Sequence, residues 1–164
     1  MRRRPTLGQV THVLMIVTLC IALWKLLIHD KRSSRYKTGD HIARSIWKTM
    51  PDAKRTVVIV ERAECPYCKA SMPFYAKLVR AADDVGVEVV SVTPDDKAAN
   101  QRYLDENKVH MDRIIQLKDT PLRVLGTPTL IVLDQNKTVL GEWVGELSSD
   151  DEGKVLHLVR SGSH

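Results

Sequence analysis

Between Pro5 and Trp24 the chain carries no Asp, Glu, Lys or Arg. Within that stretch runs VLMIVTLCIALW, followed by Lys25 and then Leu26-Leu27-Ile28. About 20 helical residues cross a hydrocarbon core about 30 Å thick, so Leu7 to Ile28 has the length of a transmembrane anchor. Lys25 can snorkel toward headgroups and Trp24 suits an interface. A cleaved leader would share the basic start and apolar middle, but the far end, WKLLIHDKR, is bulky where a cleavage site needs small residues. A buried core helix would leave the basic residues at both ends unexplained. The expected organisation is a short basic tail (1–6), an anchor (7–28), a polar juxtamembrane linker (29–39, HDKRSSRYKTG to its last residues) and a folded domain (40–164).

Beyond the linker the periodicity changes repeatedly. Ile42, Ile46, Trp47 and Met50 share one face of a helix expected from about Asp40 to Met50, ended by Pro51. TVVIVE (56–61) is a β-branched run that reads as a buried strand. A cysteine motif follows, then a helix to about Ala82. VEVVSV (87–92) predicts a second strand. Pro94-Asp95-Asp96 opens a helix to about Lys108, with Tyr103 and Leu104 inward. RIIQL (113–117) is a short strand. TPTLIVLD (127–134) and TVLGEWVG (138–145) form a hairpin through Gln135-Asn136-Lys137. Ser148-Ser149-Asp150 caps a last helix carrying Val155, Leu156 and Val159. Trp47 and Trp143 sit at periodic apolar positions and are expected in the core. Strands alternating with helices and ending in a hairpin make an α/β sandwich around a mixed sheet.

Composition narrows the function classes. With 43% hydrophobic and 27% charged residues, the chain is not disordered as a whole. The net charge of +5 is unevenly placed. Residues 1–37 sum to +7 and residues 38–164 to −2. The domain thus lacks the positive footprint that nucleic acid demands, and no nucleic-acid partner is expected. Arg2–Arg4 before the anchor and the five Lys/Arg from Lys25 to Lys37 at its far end nearly balance, so charge alone does not orient the anchor.

The chemistry lies in the cysteines. Cys20, inside the anchor, reads as a small apolar helix residue. Cys65 and Cys68 stand in Glu64-Cys-Pro-Tyr-Cys-Lys69, directly after a strand and opening a helix. A thiolate there meets unpaired N–H groups and the positive end of the helix dipole, which lower its pKa. Pro66 costs no hydrogen bond in a first turn. Cys68, three residues on, lies on the same helix face and can reach the Cys65 sulfur. In this reading Cys65 attacks a partner disulfide and Cys68 resolves the mixed disulfide. A permanent structural disulfide would close too small a loop to stabilise much. A zinc site would need two more ligands, and the six His are scattered. No metal and no organic cofactor is expected; the redox group is the Cys65–Cys68 pair itself. The lone Gly126 is not a phosphate loop.

With these residues in view, the chain resembles the thioredoxin-like superfamily. VVIVERAECPYCKASMPFY is similar to its first core strand, active-site turn and helix. GTPTLIVLD (126–134) is similar to its second landmark, where a cis-proline faces the cysteines, which places Thr127 and Pro128 in the site. The CPYC tetrad is the one typical of glutaredoxins, although the paired glycines expected after the proline there are missing. The long interval from Cys68 to Pro128 leaves room for an inserted helix and strand around 95–117. That insert, the Cys68-Lys69-x-x-Met72-Pro73 spacing and the anchor together resemble the TlpA/ResA-like membrane-tethered thioredoxins. The resemblance implies a thioredoxin-like sandwich over about 40–160, a domain outside the cytoplasmic membrane, protein thiol or disulfide substrates, and a membrane electron donor if the protein is a reductase.

The sequence departs from that group. The usual Trp before the first Cys is Glu64, the acid often found three residues after the second is Ser71, and the buried Asp of thioredoxins is replaced by Ile59. Glu61 and Glu64 can raise the Cys65 pKa as like charges, one of them can accept the Cys68 proton, or both can be solvated. Thr127 either touches the thiol through its hydroxyl or merely fits the strand, and Tyr67 either shapes partner contact or is only surface. The expected function is a membrane-tethered reductase of extracytoplasmic disulfides. An oxidase or isomerase, a redox-inert adaptor on the same fold, and a peroxidase-like thiol enzyme are the alternatives. The last lacks a Thr-x-x-Cys setting, since the residues before Cys65 read Glu61-Arg62-Ala63-Glu64.

Overall fold

The computed structural model describes residues 15–19, 36–43, 46, 48, 52–120 and 122–161. The chain divides into two compact units, Met1–Ser34 and Arg35–His164. In the first, 15–19 are helical, with Met15, Ile16, Val17 and Leu19 exposed. The remainder of the expected anchor (7–14 and 20–28), Cys20 and Trp47 lie outside the described residues. Among the described residues no helix is long and apolar enough to cross a membrane.

The second unit runs β1 (Arg55–Val60), α1 (Pro66–Asp83), β2 (Glu88–Thr93), α2 (Lys97–Glu106), β3 (Arg113–Gln116), a 3₁₀ turn (Leu117–Asp119), β4 (Thr129–Asp134), β5 (Val139–Val144) and α3 (Ser149–Arg160). The five strands form one mixed sheet in the order β3-β2-β1-β4-β5. β1 pairs with β2, and β2 with β3, in parallel; β4 is antiparallel to both β1 and β5. The expected α/β sandwich with its inserted helix and strand is therefore present, as α2 and β3.

Local chemistry explains the elements. β1 and β4 are central, and their runs VVIV and TLIVL are buried on both faces. α2 starts where Asp96 caps the N–H groups of Ala98 and Ala99. α3 starts where Ser148 caps Asp151, as its polar run predicted, and buries Val155, Leu156 and Val159. The β4–β5 turn places Lys137 at φ 60°, and Asp134 accepts the Lys137 and Thr138 N–H groups around it. Gly141 is needed in β5 because a Cβ there would overlap the ring of Trp143, which packs against the core as expected.

The two sheet faces carry two apolar clusters. Val57 and Ile59 of β1, Val89 of β2 and Leu130 and Val132 of β4 pack against α1 and α3, with Leu104 of α2. Val58, Val60, Val90, Val92, Ile131 and Leu133 face Ile42, Ile46 and Leu122. Here the structure corrects two expectations. Asp40–Ala43 is not helical: Gly39 N–H donates to the Val139 carbonyl, Val139 N–H to that of Asp40, and Ile42 N–H to that of Lys137. The segment buries Ile42 by pairing with the start of β5 instead of by coiling. Tyr36–Gly39, counted as linker, are likewise docked, with the Tyr36 hydroxyl accepting the Arg123 N–H.

Leu78, fully buried on the inner face of α1, should cost roughly 2–5 kcal/mol when cut to Ala. Urea unfolding should show a lower midpoint at an unchanged slope.

Candidate active site

The turn after β1, the first turn of α1 and the loop before β4 meet at the cysteines. Cys65 is the N-cap of α1, in extended backbone (φ −87°, ψ 115°), and its sulfur accepts the Cys68 N–H at 3.3 Å. A sulfur thus takes the place an Asp or Ser oxygen usually holds at a helix start. The Cys65 thiol donates to the Thr127 carbonyl at 3.3 Å. The Thr127–Pro128 bond is cis, as the resemblance implied. Pro128 is buried, and its carbonyl accepts the Gly145 N–H.

The two thiols are driven apart in acidity. Burial works against ionising Cys65, but hydrogen bonds from Cys68 and from the Thr127 side chain, with the backbone N–H groups of the helix start, outweigh it, and its pKa falls below the ordinary thiol value. Cys68 is fully enclosed. Burial first, and then the neighbouring Cys65, push it up to about 12. Cys65 keeps a small exposed area (8%) and is the incipient thiolate; Cys68 has none and is the protected thiol.

The remaining sequence candidates divide. Pro66 and Tyr67 are exposed, and Tyr67 and Leu125 are the large apolar side chains most open to solvent in the folded unit among the described residues, one on each loop of the site. Glu64 is solvent-facing and pairs with Arg62 at 3.5 Å, an exposed contact of little energetic weight. Its reading as a solvated charge fits; the same reading fails for Glu61.

Glu61 is fully buried. It continues the row of Val57 and Ile59 on one sheet face, two residues beyond the position where an acid was looked for. Its Oε1 accepts from the Ser91 hydroxyl and from Asn100 Nδ2, both at 2.8 Å. Asn100 Nδ2 also donates to Ser91 Oγ at 3.0 Å. Burial raises the Glu61 pKa, against those two hydrogen bonds. Asp95 is a second residue that sequence reasoning passed over: its carboxylate accepts the Ala63 N–H at 2.9 Å and holds the turn two residues before Cys65. The signal for both was thin, a lone Ser in an apolar strand and an acid at a helix start.

Residues 43–160 match the thioredoxin-like domain family. The chain belongs to that family. No curated protein sequence matches it. Among solved structures, this thioredoxin-like chain is similar to a thiol:disulfide interchange protein DsbE from Chlorobium tepidum (TM-score 0.61, 16% identity, 79% of this chain and 100% of that one). It is also similar to StoA from Bacillus subtilis (0.54, 15%, 67% and 85%) and to the peroxidoxin BcpB from Mycobacterium tuberculosis (0.57, 18%, 77% and 98%). At such identities the likeness is one of fold, and the differing names of these neighbours show that this fold does not choose among thiol chemistries.

Alkylation of Cys65 in the reduced protein should accelerate with pH as the thiolate forms, with a midpoint below that of an ordinary free thiol; Cys68 should stay unreactive until far higher pH, as mass spectrometry of quenched samples would read. For Glu61 the folded pKa is raised, so its stabilising contribution is complete below the unfolded value of about 4.3 and is lost as pH rises through the folded value. Glu61→Gln should therefore gain thermal stability relative to the wild type on going from pH 4 to pH 8, read as a widening difference in Tm.

Proposed function

We propose that this protein is a thiol–disulfide oxidoreductase acting on protein substrates, with Cys65 as nucleophile and Cys68 as resolving thiol. The observation that carries the reading is the split between the two sulfurs: an acidified Cys65 at the helix cap, held against the Thr127 carbonyl, and an enclosed, protonated Cys68 one turn behind it. Thiolate attack on a disulfide needs the first, and delayed resolution needs the second. Thr127 and Pro128 form the wall beside the reacting sulfur. Tyr67 and Leu125 supply exposed apolar surface suited to a protein partner, and Pro66 lets α1 begin directly after the nucleophile. The chemistry uses no cofactor beyond the cysteine pair.

In the same reading the protein works as a reductase, tethered by residues 7–28 to the cytoplasmic membrane with its domain on the outer side. The apolar run and the likeness to tethered thioredoxins support this. An oxidising compartment would then require a membrane electron donor to keep the pair reduced.

The test uses the purified domain with a protein disulfide and a thiol reductant. Turnover should vanish in Cys65→Ser. Cys68→Ser should instead accumulate a mixed disulfide, visible as a reductant-sensitive adduct on a gel. Full turnover by Cys65→Ser would overturn the reading. In-cell trapping of the two thiols tests direction: a mostly reduced pair fits the reductase, and a mostly oxidised pair an oxidase.

A further inference from the structure

The loop that brings Thr127 to the Cys65 sulfur is not held by a ladder of its own. Among the described residues, 122–127 make no backbone-to-backbone hydrogen bond. Side chains hold the loop instead. The Leu122 N–H donates to Thr120 Oγ1 at 3.2 Å, and the Gly126 carbonyl accepts the Thr129 hydroxyl at 2.7 Å. Between those two ties the Arg123 N–H donates to the Tyr36 hydroxyl at 3.2 Å. Leu122 is buried, and Val124 and the Tyr36 ring pack half-buried against the same apolar cluster. Tyr36 therefore meets the loop with both its polar and its apolar part, at a point four residues short of Thr127.

Tyr36 is itself fixed from the edge of the sheet. Residues 37–40 form a tight turn, in which the Asp40 N–H donates to the Lys37 carbonyl at 2.9 Å and the Asp40 carboxylate accepts the Lys37 N–H at 2.8 Å. Gly39 sits there at φ 94°, a conformation that a side chain would oppose. The turn is pinned to β5 and the residues just before it. The Gly39 N–H donates to the Val139 carbonyl, the Val139 N–H to that of Asp40, and the Thr38 hydroxyl to that of Leu140. Ile42 then enters the core below. With its backbone set in advance, the tyrosine gives up little further freedom in gripping the loop. The strap of 36–42 thus spans from the β5 edge to the segment that leads into the site.

We propose that Tyr36 is a positioning residue for the thiol exchange: it clamps residues 122–125 and through them keeps the Thr127 carbonyl on the Cys65 sulfur. This rests on the exchange chemistry proposed above and adds a group from outside the cysteine turn that sets its geometry. Two properties of the site depend on the clamp. The Cys65 thiol meets Thr127 at 3.3 Å, and Thr127 is among the groups that lower the Cys65 pKa. A loop that drifts gives up that contact, so Cys65 becomes less acidic. Leu125, exposed two residues beyond Arg123, rides on the same loop. Its placement beside the sulfur fixes where a protein partner finds apolar surface, so release of the loop also weakens partner binding.

The experiment compares the full chain, reduced, as wild type, Tyr36→Phe and Tyr36→Ala. Phe keeps the ring and removes the acceptor; Ala removes both. The first readout is the rate of iodoacetamide alkylation across pH, followed at Cys65 by peptide mass spectrometry. The second is kcat and KM for a protein disulfide with a thiol reductant. In Tyr36→Phe the alkylation midpoint should move to higher pH. The rate below the midpoint should fall, and KM should rise, by about two- to tenfold, the range that one neutral hydrogen bond sustains. Tyr36→Ala should do more in the same direction, and Phe decides the matter if Ala does not fold. Val159→Ala thins the core on the other face of the sheet. It should lower Tm and leave both readouts unchanged. Tyr36 variants that lower Tm but keep the wild-type midpoint and KM overturn the inference, since the tyrosine then only stabilises the fold. So does a Val159→Ala protein whose midpoint and KM move as far as those of Tyr36→Phe. A wild type with no turnover overturns the exchange chemistry itself and this inference with it, and is recognised because the unmutated protein is silent.

Discussion

The site depends on a sulfur doing the work of a helix cap. The first turn of α1 presents N–H groups with no partner in the helix, and Cys65 Sγ accepts one of them. That bond fixes where the helix begins, aims Cys68 inward one turn later, and favours negative charge on the outer sulfur. Much else can be seen as holding this arrangement in place. Asp95 holds the turn that leads to Cys65. The loop before β4 brings the Thr127 carbonyl to the thiol from the far side. β1, buried on both faces between β2 and β4, fixes the direction from which the chain enters.

In the proposed exchange the same contact separates two tasks that one cysteine could not perform. A nucleophile must be ionised and reachable, whereas a resolving thiol must not react until its partner is engaged. Placing Cys68 on the buried face of α1, with Met72 and Tyr75 further along it, denies it water and raises its pKa. The difference in environment across a single helical turn makes the order of events a property of the fold.

Much of this was legible in the chain. The strand, the motif and the helix follow one another within thirty residues, and their signals are local: an apolar run, a proline at the first helical position, a periodic inner face. The Thr127–Pro128 landmark and the Ser148 cap are equally local. What escaped notice depends on distant pairing. Ile42 and Ile46 have helical spacing, yet Ile42 is buried by an extended segment because the edge of β5 offers backbone partners, and those lie about a hundred residues on. Glu61 ends an apolar run and so looks like a solvated boundary. Its burial depends on Ser91 and Asn100, 30 and 39 residues away, and on the parallel register that turns Ser91 to the same face. A strand's pattern shows which residues alternate, but not which polar group will meet which across the sheet.

The ends of the sheet carry a different consequence. Open sheet edges invite pairing with other chains and so promote self-association. Here β3, at one end, is only four residues long and begins with exposed Arg113. At the other end the Thr38–Ile42 segment takes up backbone groups of Lys137, Val139 and Leu140, and Glu142 places a carboxylate further along the strand. The sheet is thereby blunted as a template for growth, which matters for the proposed exchange with protein substrates: the working surface must stay open to other polypeptides while the backbone must not join them.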